Sequence, residues 1–242
     1  MATFVLVHGG GHGGWCYQPV SRLLQQGGHT VYAPSLPGMG EHRHQLHPGI
    51  DLDCHIDDLV ALLLYEDLTD AILVGHSYGG MVITGAADRV ADRVDHRVYL
   101  DAAYPENGVS LHEHAFELID AVRQSLYVED GVELVLNPAE IDAEFFGVTD
   151  PELAAWANER FSPQPWKCFS QPLVLKNQAA VRAIPESHVM CDSMIPRRDM
   201  DQLNRSAEGR VWHIDTGHDL MLIEPEWVAN KLEIIAASMP GA

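Results

Sequence analysis

Short apolar runs alternate with amphipathic stretches along much of this chain of 242 residues. Each run is long enough for one buried strand. The stretches between the runs carry apolar residues at helical spacing, as in CHIDDLVALLLYEDL (54–68). This alternation predicts an α/β fold, in which a mostly parallel sheet is covered by helices on both faces. The predicted strands are FVLVH (4–8), TVYA (30–33), AILVG (71–75), RVYLDAAYP (97–105), SHVMC (187–191) and RVWHID (210–215).

The alternation stops between residues 107 and 184. This segment is rich in helical signals, prolines and aromatic residues, and it contains no clear buried strand. We therefore predict a core formed by residues 1–106 and 185–242, with a helical cap insertion at 107–184. An insertion of this kind usually lies over the carboxyl ends of the strands, where ligands bind.

A glycine-rich loop follows the first predicted strand, in TFVLVHGGGHGGWC (3–16). Gly9, Gly11 and Gly14 fit the G-x-G-x-x-G spacing of a dinucleotide-binding turn. Such a site also needs an acidic residue at the tip of the second strand, about 20 residues further on. That strand ends in Ala-Pro-Ser, and the first acidic residue of the chain is Glu41. We expect no nucleotide cofactor and look for another role for the glycines.

A second glycine cluster lies in LVGHSYGGMV, where Gly75-His76-Ser77-Tyr78-Gly79 forms a G-x-S-x-G motif. It stands between a predicted strand and a predicted helix, which is the setting of a nucleophile elbow. The turn holds the serine in strained backbone angles that expose its hydroxyl, and glycine lets neighbouring backbone pass close by. Ser77 is the predicted nucleophile.

A serine hydroxyl needs a base to remove its proton. Among the 14 histidines, His218 lies in the loop between the last predicted strand and the last helix. That position delivers a base to the nucleophile in the chain order Ser, acid, His. His213 falls within the strand and is expected to pack there. We predict no metal site, because four histidines that crowd one loop and helix start lack a fixed ligand spacing: His42, His44, His47 and His55.

Two aspartates compete to orient His218. Asp192 directly follows the strand SHVMC, and Asp101 lies in YLDAAYP at the preceding strand. Either position follows a strand between Ser77 and His218 and offers a hydrogen bond to the histidine ring. We favour Asp192 over Asp101.

The chemistry of a serine hydrolase explains the first glycine loop. Such an enzyme holds the negative oxygen of its tetrahedral intermediate with preset backbone N–H groups. One donor comes from the residue after the nucleophile, which is Tyr78, and the other from a loop of the HGGG type after the first strand. We predict Gly10 as that second donor, with Gly9 and Gly11 shaping the loop.

These motifs together resemble one branch of the α/β-hydrolase superfamily. The branch includes plant methylesterases, hydroxynitrile lyases and bacterial carboxylesterases similar to pyrethroid hydrolases. The resemblance rests on LVHGGGHGGWC, VGHSYGGMV, YLDAAYPENGVSL, CDSMIP and GHDLMLIEP, and it is weakest over 118–166. It implies an α/β-hydrolase fold and oxyanion donors at Gly10 and Tyr78. The D-x-x-I-P pattern of the methylesterases falls on Asp192, which adds to the preference for that residue.

The chain departs from the lyases of this branch at two positions. In the lyases that this chain resembles, a lysine follows the catalytic histidine and a threonine stands in the oxyanion loop. Here the two positions are Asp219 and Gly10. No cation is ready to hold a cyanide leaving group, so the lyase hypothesis loses most of its support.

The predicted activity is hydrolysis of small to medium, largely apolar carboxylic esters through an acyl-enzyme, by a Ser-His-Asp triad. Three alternatives stay open: cofactor-free dioxygenase chemistry, hydroxynitrile-lyase chemistry and a non-catalytic ligand receptor. A receptor would not need all three triad residues, so their presence in the sequence argues against that alternative. We predict that the substrate-binding residues are Gly9, Tyr78, Phe145, Phe146, Trp156 and Trp166.

Composition limits the partners of the chain. Its net charge of −20 disfavours nucleic acid and anionic membrane surfaces, and no apolar run is long enough to span a bilayer. The four cysteines show no C-x-x-C pair, and no secretory leader precedes the first strand. These features predict a cytoplasmic protein with free thiols. The oligomeric state stays open, with a homodimer as one option.

Overall fold

The computed structural model describes residues 1–239, and it contains one large sheet and one small sheet within that range. The strands of that range, numbered along the chain, are β1 (Thr3–Val7), β2 (Thr30–Tyr32), β3 (Ala71–His76), β4 (Val94–Leu100), β5 (Tyr127–Glu129), β6 (Val132–Val135), β7 (Gln164–Pro165), β8 (Glu186–Cys191) and β9 (Val211–Ile214).

The large sheet has the strand order β2-β1-β3-β4-β8-β9, and all neighbouring strands in it are parallel. Its inner strands are almost entirely buried, whereas the edge strands β2 and β9 are partly exposed. This pattern is typical of a parallel sheet with both faces covered. The predicted α/β fold is confirmed, and the strand boundaries differ by a few residues from those expected.

Helices cover both faces of this sheet. They are α1 (Gln18–Gln26), α2 (Leu52–Tyr65), α3 (Gly79–Arg89), α4 (Leu111–His114), α5 (Phe116–Arg123), α6 (Pro151–Asn158), α7 (Trp166–Ser170), α8 (Gln178–Ala183), α9 (Met200–Ser206), α10 (Leu220–Ile223) and α11 (Pro225–Ala237).

Strand β1 shows how the two faces form two separate cores. Successive side chains of a strand point to opposite faces. Val5 and Val7 pack in the core that contains the α2 and α3 side chains. Phe4 and Leu6 pack in the other core, with α1 and α11. A continuous apolar run is therefore what a strand buried on both faces requires.

The segment between β4 and β8 is less helical than the sequence predicts. It contains five helices, α4 to α8, and also a three-stranded antiparallel sheet in the order β5-β6-β7. These strands are two to four residues long. A run this short shows too little period-two alternation to be recognised. The prediction that this segment lacks strands is wrong.

The order of the large sheet brings several chain segments to one place. The loops after β1, β3 and β4 leave from neighbouring strands at the carboxyl edge, and the loop after β9 reaches the same edge. Ligands of open parallel sheets bind at such an edge, where the strand order reverses. Within the part of the chain that the structure describes, no helix has the length and apolar character needed to cross a bilayer.

Candidate active site

Ser77 occupies a tight turn between β3 and α3. Its φ is +52°, in the left-handed region that an ordinary residue rarely adopts. The Ser77 N–H donates to the Leu100 carbonyl, and the Ser77 carbonyl accepts from the Ala103 N–H at 3.0 Å. These bonds hold the strained turn on the end of β4, as expected of a nucleophile elbow.

Two glycines make this turn sterically feasible. A Cβ on Gly79 would lie 2.5 Å from the Val7 carbonyl oxygen, and one on Gly80 only 2.0 Å from the Ala103 carbonyl oxygen. Both obstacles are backbone atoms, which cannot rotate away. The start of α3 therefore packs directly on the chain that follows β1 and β4.

His218 lies in the loop between β9 and α10 and contacts one carboxylate. Its Nδ1 donates to Asp101 Oδ2 at 2.5 Å, and its side chain remains 27% exposed while that of Asp101 is 1% exposed. Burial alone would lower the pKa of His218. The hydrogen bond and charge of Asp101, together with the charge of Asp219, instead raise this pKa above its usual value.

Asp101 is held rigidly at the end of β4. Its φ is +46°, its N–H donates to the Val189 carbonyl at 2.6 Å, and its Oδ1 accepts the Cys191 N–H at 3.1 Å. Burial would raise the pKa of this carboxyl, but the hydrogen bonds from His218 and Cys191 lower it below its usual value. Asp101 is therefore a carboxylate with one oxygen bound to backbone and the other aimed at His218.

The prediction that Asp192 orients His218 is wrong for this geometry. Asp192 begins a 3₁₀ turn on the outside of the sheet, where it accepts a hydrogen bond from His213 Nδ1 at 2.6 Å. Both side chains are about half exposed, at 43% and 51%, so His213 does not pack inside the strand as expected. The physical reason is local: His213 binds the Asp192 carboxylate, whereas the Cys191 N–H holds one oxygen of Asp101 and leaves the other for His218.

His8 fixes the glycine loop that follows β1 through two hydrogen bonds. The Gly9 carbonyl accepts from His8 Nδ1 at 2.8 Å, while His8 Nε2 accepts the Leu36 N–H at 3.0 Å. Burial lowers the pKa of His8 to about 3, so its ring is neutral and these two bonds define its tautomer. A Cβ on Gly9 would lie 2.8 Å from Ser77 Cβ. Gly9 is therefore packed against Ser77 and forms no part of a pocket wall.

Two backbone N–H groups near Ser77 are unpaired. Within residues 1–239, the backbone and side-chain hydrogen bonds leave the Gly10 and Tyr78 N–H groups without a protein acceptor. Gly10 also lines the cavity that contains Ser77 and His218. Unpaired N–H groups beside a nucleophile are able to bind an oxyanion.

Ser77 and His218 lie at the junction of two cavity compartments. One compartment, of about 280 Å³, has a mainly apolar wall that includes Leu136, Phe145, Phe146 and Phe169. The other, of about 320 Å³, also contains the charged side chains of Glu113, Glu117 and Arg198, while Arg197 lines both compartments. We call them the aromatic compartment and the charged compartment.

Four predicted substrate-binding residues lie elsewhere. Gly9 lies beneath Ser77, and the Tyr78 side chain is buried with its hydroxyl 2.9 Å from His55 Nδ1. Trp156 packs on Trp15, with ring centroids 5.3 Å apart, and Trp166 is buried beside Phe169 in the core. For these side chains the predicted pocket contacts are wrong, because internal packing takes up their surfaces.

The site also contains residues that sequence reasoning missed. Leu136, with φ of +56°, and Phe169 come from β6–β7 and α7 of the cap segment, and Met194 and Arg197 come from the turn after β8. Nothing in the local sequence of these residues indicates a ligand contact. No group of three or more metal-binding side chains is found in residues 1–239.

Comparison with known proteins defines the class to which this fold and site belong. The alpha/beta hydrolase family matches residues 4–231, and the chain belongs to that family. A carbendazim hydrolyzing esterase of Nocardioides sp. (strain SG-4G) is 36% identical over 96% of this chain and 98% of its own. Methyl jasmonate esterase 1 of Vitis vinifera is 25% identical over 78% of this chain and 77% of its own.

The solved structures agree on the fold. A pyrethroid hydrolase of Sphingobium faniae JZ-2 superposes with a TM-score of 0.73 at 21% identity, covering 98% of both chains. The resemblance to methylesterases and pyrethroid hydrolases that the motifs indicate is confirmed. The family relationship covers the core and the cap segment alike.

Proposed function

We propose that this protein is a serine esterase that hydrolyses carboxylic esters through an acyl-enzyme on Ser77. Ester hydrolysis itself is the activity that its esterase relatives support across nearly the whole chain. The observation that carries the mechanism is the 2.5 Å contact between His218 Nδ1 and Asp101 Oδ2, beside an elbow serine.

The contact with Asp101 fixes the tautomer of His218. Since Nδ1 donates its hydrogen to the carboxylate, Nε2 of the neutral ring carries a lone pair. In the proposed mechanism this lone pair accepts the Ser77 hydroxyl proton as the oxygen attacks the ester carbonyl. Asp101 remains ionised and stabilises the imidazolium that results.

The oxyanion is assigned to the two unpaired N–H groups. As the carbonyl carbon becomes tetrahedral, its oxygen gains negative charge and accepts hydrogen bonds from Gly10 and Tyr78. His218 then returns the proton to the leaving alcohol, and the acyl group remains on Ser77. Water attacks this acyl-enzyme with His218 as base again, which releases the acid and restores the serine.

The cavity favours an ester of an apolar or aromatic acid. Phe145, Phe146 and Phe169 surround the aromatic compartment next to Gly10. Burying a side chain of comparable size is worth about 1.5–3 kcal/mol, so such an acid gains affinity there. Because one relative is named for a methyl ester, a methyl ester of such an acid is the substrate we assign.

The test is hydrolysis of a panel of alkyl and aryl esters by wild type, Ser77→Ala and Ser238→Ala. Ser238 lies at the end of α11 and serves as the matched control. We expect Ser77→Ala to lose at least about 10³-fold in kcat, as triad residues do, and Ser238→Ala to keep wild-type activity. Full activity in Ser77→Ala would overturn the proposal.

The same variants, together with His218→Ala, separate the alternative functions. Cofactor-free dioxygenase chemistry needs the His218 base but not the nucleophile, so only His218→Ala would be severely impaired. A receptor would hydrolyse no ester while binding a ligand in the aromatic compartment. Either result would replace the esterase mechanism.

We also propose a cytoplasmic location. The support is chemical: Cys16, Cys54, Cys168 and Cys191 are all free thiols, and three of them are buried. Thiols persist in a reducing compartment. Fractionation of the source cells followed by detection of this chain tests the location.

A further inference from the structure

One buried carboxylate near the site has no part in the mechanism above. Asp219 follows His218 directly, is fully buried, and contacts the His12 ring, which is also fully buried. His12 Nε2 lies 2.9 Å from Asp219 Oδ2. A buried charge of this kind is costly unless it is paired, so the pair needs an explanation.

The other side of the His12 ring contacts the oxyanion loop. Its Nδ1 donates to the Gly10 carbonyl at 2.7 Å, and the backbone N–H of His12 donates to the Gly9 carbonyl at 3.4 Å. The peptide group before Gly10 is therefore held by His8 and by the His12 backbone, and the peptide group after Gly10 is held by the His12 ring. Because the N–H and C=O of a trans peptide point in opposite directions, the Gly9 carbonyl sets the direction of the Gly10 N–H, and the ring's hold on the Gly10 carbonyl keeps this flexible glycine from turning away.

Asp219 is connected to the proposed base, His218, through the backbone. Asp219 is the next residue after His218, and its N–H donates to the Phe146 carbonyl at 3.1 Å. His76 Nε2 donates to the His218 carbonyl at 3.0 Å from below. The loop of the base and the loop of the oxyanion donor are thus joined through a single histidine ring.

We propose that His12 and Asp219 are positioning residues that hold the Gly10 N–H in register with His218. We call the contacts of the His12 ring with the Gly10 carbonyl and the Asp219 carboxylate the His12–Asp219 bridge. This inference rests on the proposed esterase function and adds to it the residues that align the oxyanion donor. The bridge acts on kcat, because an oxyanion forms only in the transition state.

The surroundings of His12 suggest how to break the bridge without opening a cavity. The ring stacks on Trp15, with centroids 5.5 Å apart, and its edges meet Phe146 and Phe161. His12→Phe keeps these aromatic contacts and removes both hydrogen bonds. It also leaves Asp219 unpaired, so the double variant His12→Phe/Asp219→Leu removes both polar partners together.

A matched control exists in β4. His96 is also buried. Its Nε2 shares one hydrogen bond with Ser187 Oγ, at 2.8 Å, away from the site. His96→Phe therefore measures the cost of losing a buried histidine hydrogen bond alone. Asp219→Asn retains a polar partner, because the amide N–H donates to His12 Nε2 while Nδ1 still donates to Gly10.

The experiment compares kcat and KM for one hydrolysed ester and the inhibition constant of a trifluoromethyl ketone, which forms an oxyanion on Ser77. We expect His12→Phe and the double variant to lose about 30- to 100-fold in kcat and in inhibitor affinity, somewhat less than loss of an oxyanion donor. KM should change less than about 3-fold, as for an interaction made only in the transition state. Asp219→Asn, which keeps a hydrogen-bond partner for the ring, should lose less kcat than His12→Phe. His96→Phe should stay within about 5-fold of wild-type kcat, because it does not touch the Gly10 carbonyl.

Wild-type kcat in the folded double variant would overturn the bridge, as would a loss in His96→Phe equal to that in His12→Phe. A readout without turnover is ¹⁵N NMR of histidine-labelled protein, with His12→Phe for assignment. The bridge requires a hydrogen on His12 Nδ1, and a bare Nδ1 would overturn it. Failure of wild type to hydrolyse any ester would contradict the esterase proposal and leave this NMR test in force.

Discussion

Asp101 and His218 are 117 residues apart in sequence, and yet a carboxylate oxygen of one lies 2.5 Å from a ring nitrogen of the other. The contact places the proposed acid at the end of β4, next to the strand that precedes Ser77. Asp192, which the D-x-x-I-P pattern favours, contacts His213 instead. The two aspartates therefore have separate roles that mutation can distinguish.

Asp101→Asn should reduce kcat by about 10³- to 10⁴-fold, because an amide neither fixes the reactive tautomer nor stabilises the imidazolium. Asp192→Asn is the matched control and should remain within about 3-fold of wild type, because an exposed ion pair contributes little. Steady-state kinetics on one ester tests both variants. A larger loss in Asp192→Asn than in Asp101→Asn would restore Asp192 as the acid.

The acid limb of the pH–rate profile should lie above pH 6.5, the usual pKa of histidine. Asp101 and Asp219 raise the pKa of His218 by favouring its charged form, and only the neutral ring accepts the Ser77 proton. Activity should therefore fall as the pH drops through this raised pKa. In Asp219→Asn, where one negative charge is lost, the limb should move to lower pH. The profile of kcat/KM measures both, and an unmoved limb would exclude an influence of the Asp219 charge.

Gly80→Ala should destabilise the fold by about 3 kcal/mol, the upper end for overpacking, because the new Cβ would meet the Ala103 carbonyl oxygen at 2.0 Å. Gly14→Ala is a comparable case away from the elbow, since its Cβ would meet the Ala33 carbonyl oxygen at the same distance. Urea unfolding measures both. If Gly80→Ala were as stable as wild type, the packing of α3 on β4 would be looser than described.

Glu186 should make the free energy of unfolding depend on pH in the acidic range. It forms a buried ion pair with Arg97, at 2.8 Å. Burial would raise its pKa, but the His188 ring nitrogen 3.5 Å away and the charge of Arg97 lower it to about 2. A carboxyl with a depressed pKa stabilises the fold above its unfolded value, about 4.5, and that contribution is lost as the pH falls toward 2.

The loss over this range should be about 3 kcal/mol for Glu186 in wild type. Glu186→Gln removes the titrating group, so its unfolding free energy should be lower at pH 7 and should change less between pH 5 and pH 3. Urea unfolding at several pH values tests this. Parallel pH dependence in the two proteins would show that other carboxyls dominate acid unfolding.

The sequence points to Ser77, His218 and the loop of Gly10, which the structure brings together at one cavity, because each follows a local rule. Ser77 is surrounded by glycines that its turn requires, and His218 follows a strand at a defined place in the chain. No local rule selects the acid, since Asp101 and Asp192 each follow a strand. The choice depends on which carboxylate the folded chain brings to His218: Asp192 contacts His213, whereas Asp101 contacts His218.

The pocket wall was the least predictable part. Phe145 and Trp156 are both aromatic residues of the cap segment. Phe145 lines the aromatic compartment, whereas Trp156 packs on Trp15. Their different positions result from how the cap segment folds over the sheet, including the short strands β5, β6 and β7 that leave almost no periodic signal. Side-chain type alone does not distinguish a pocket aromatic from a core aromatic.

If Asp101 after β4 is the acid, as proposed, the turn after β8 takes no part in the reaction itself. That turn, Asp192–Arg197, supplies Met194 and Arg197 to both cavity compartments but holds none of the groups that move protons. We expect replacements there to change the walls of the compartments without touching the contact between His218 and Asp101. In a family that takes many substrates on one scaffold, this turn is a place where new specificity can arise with the reaction kept intact.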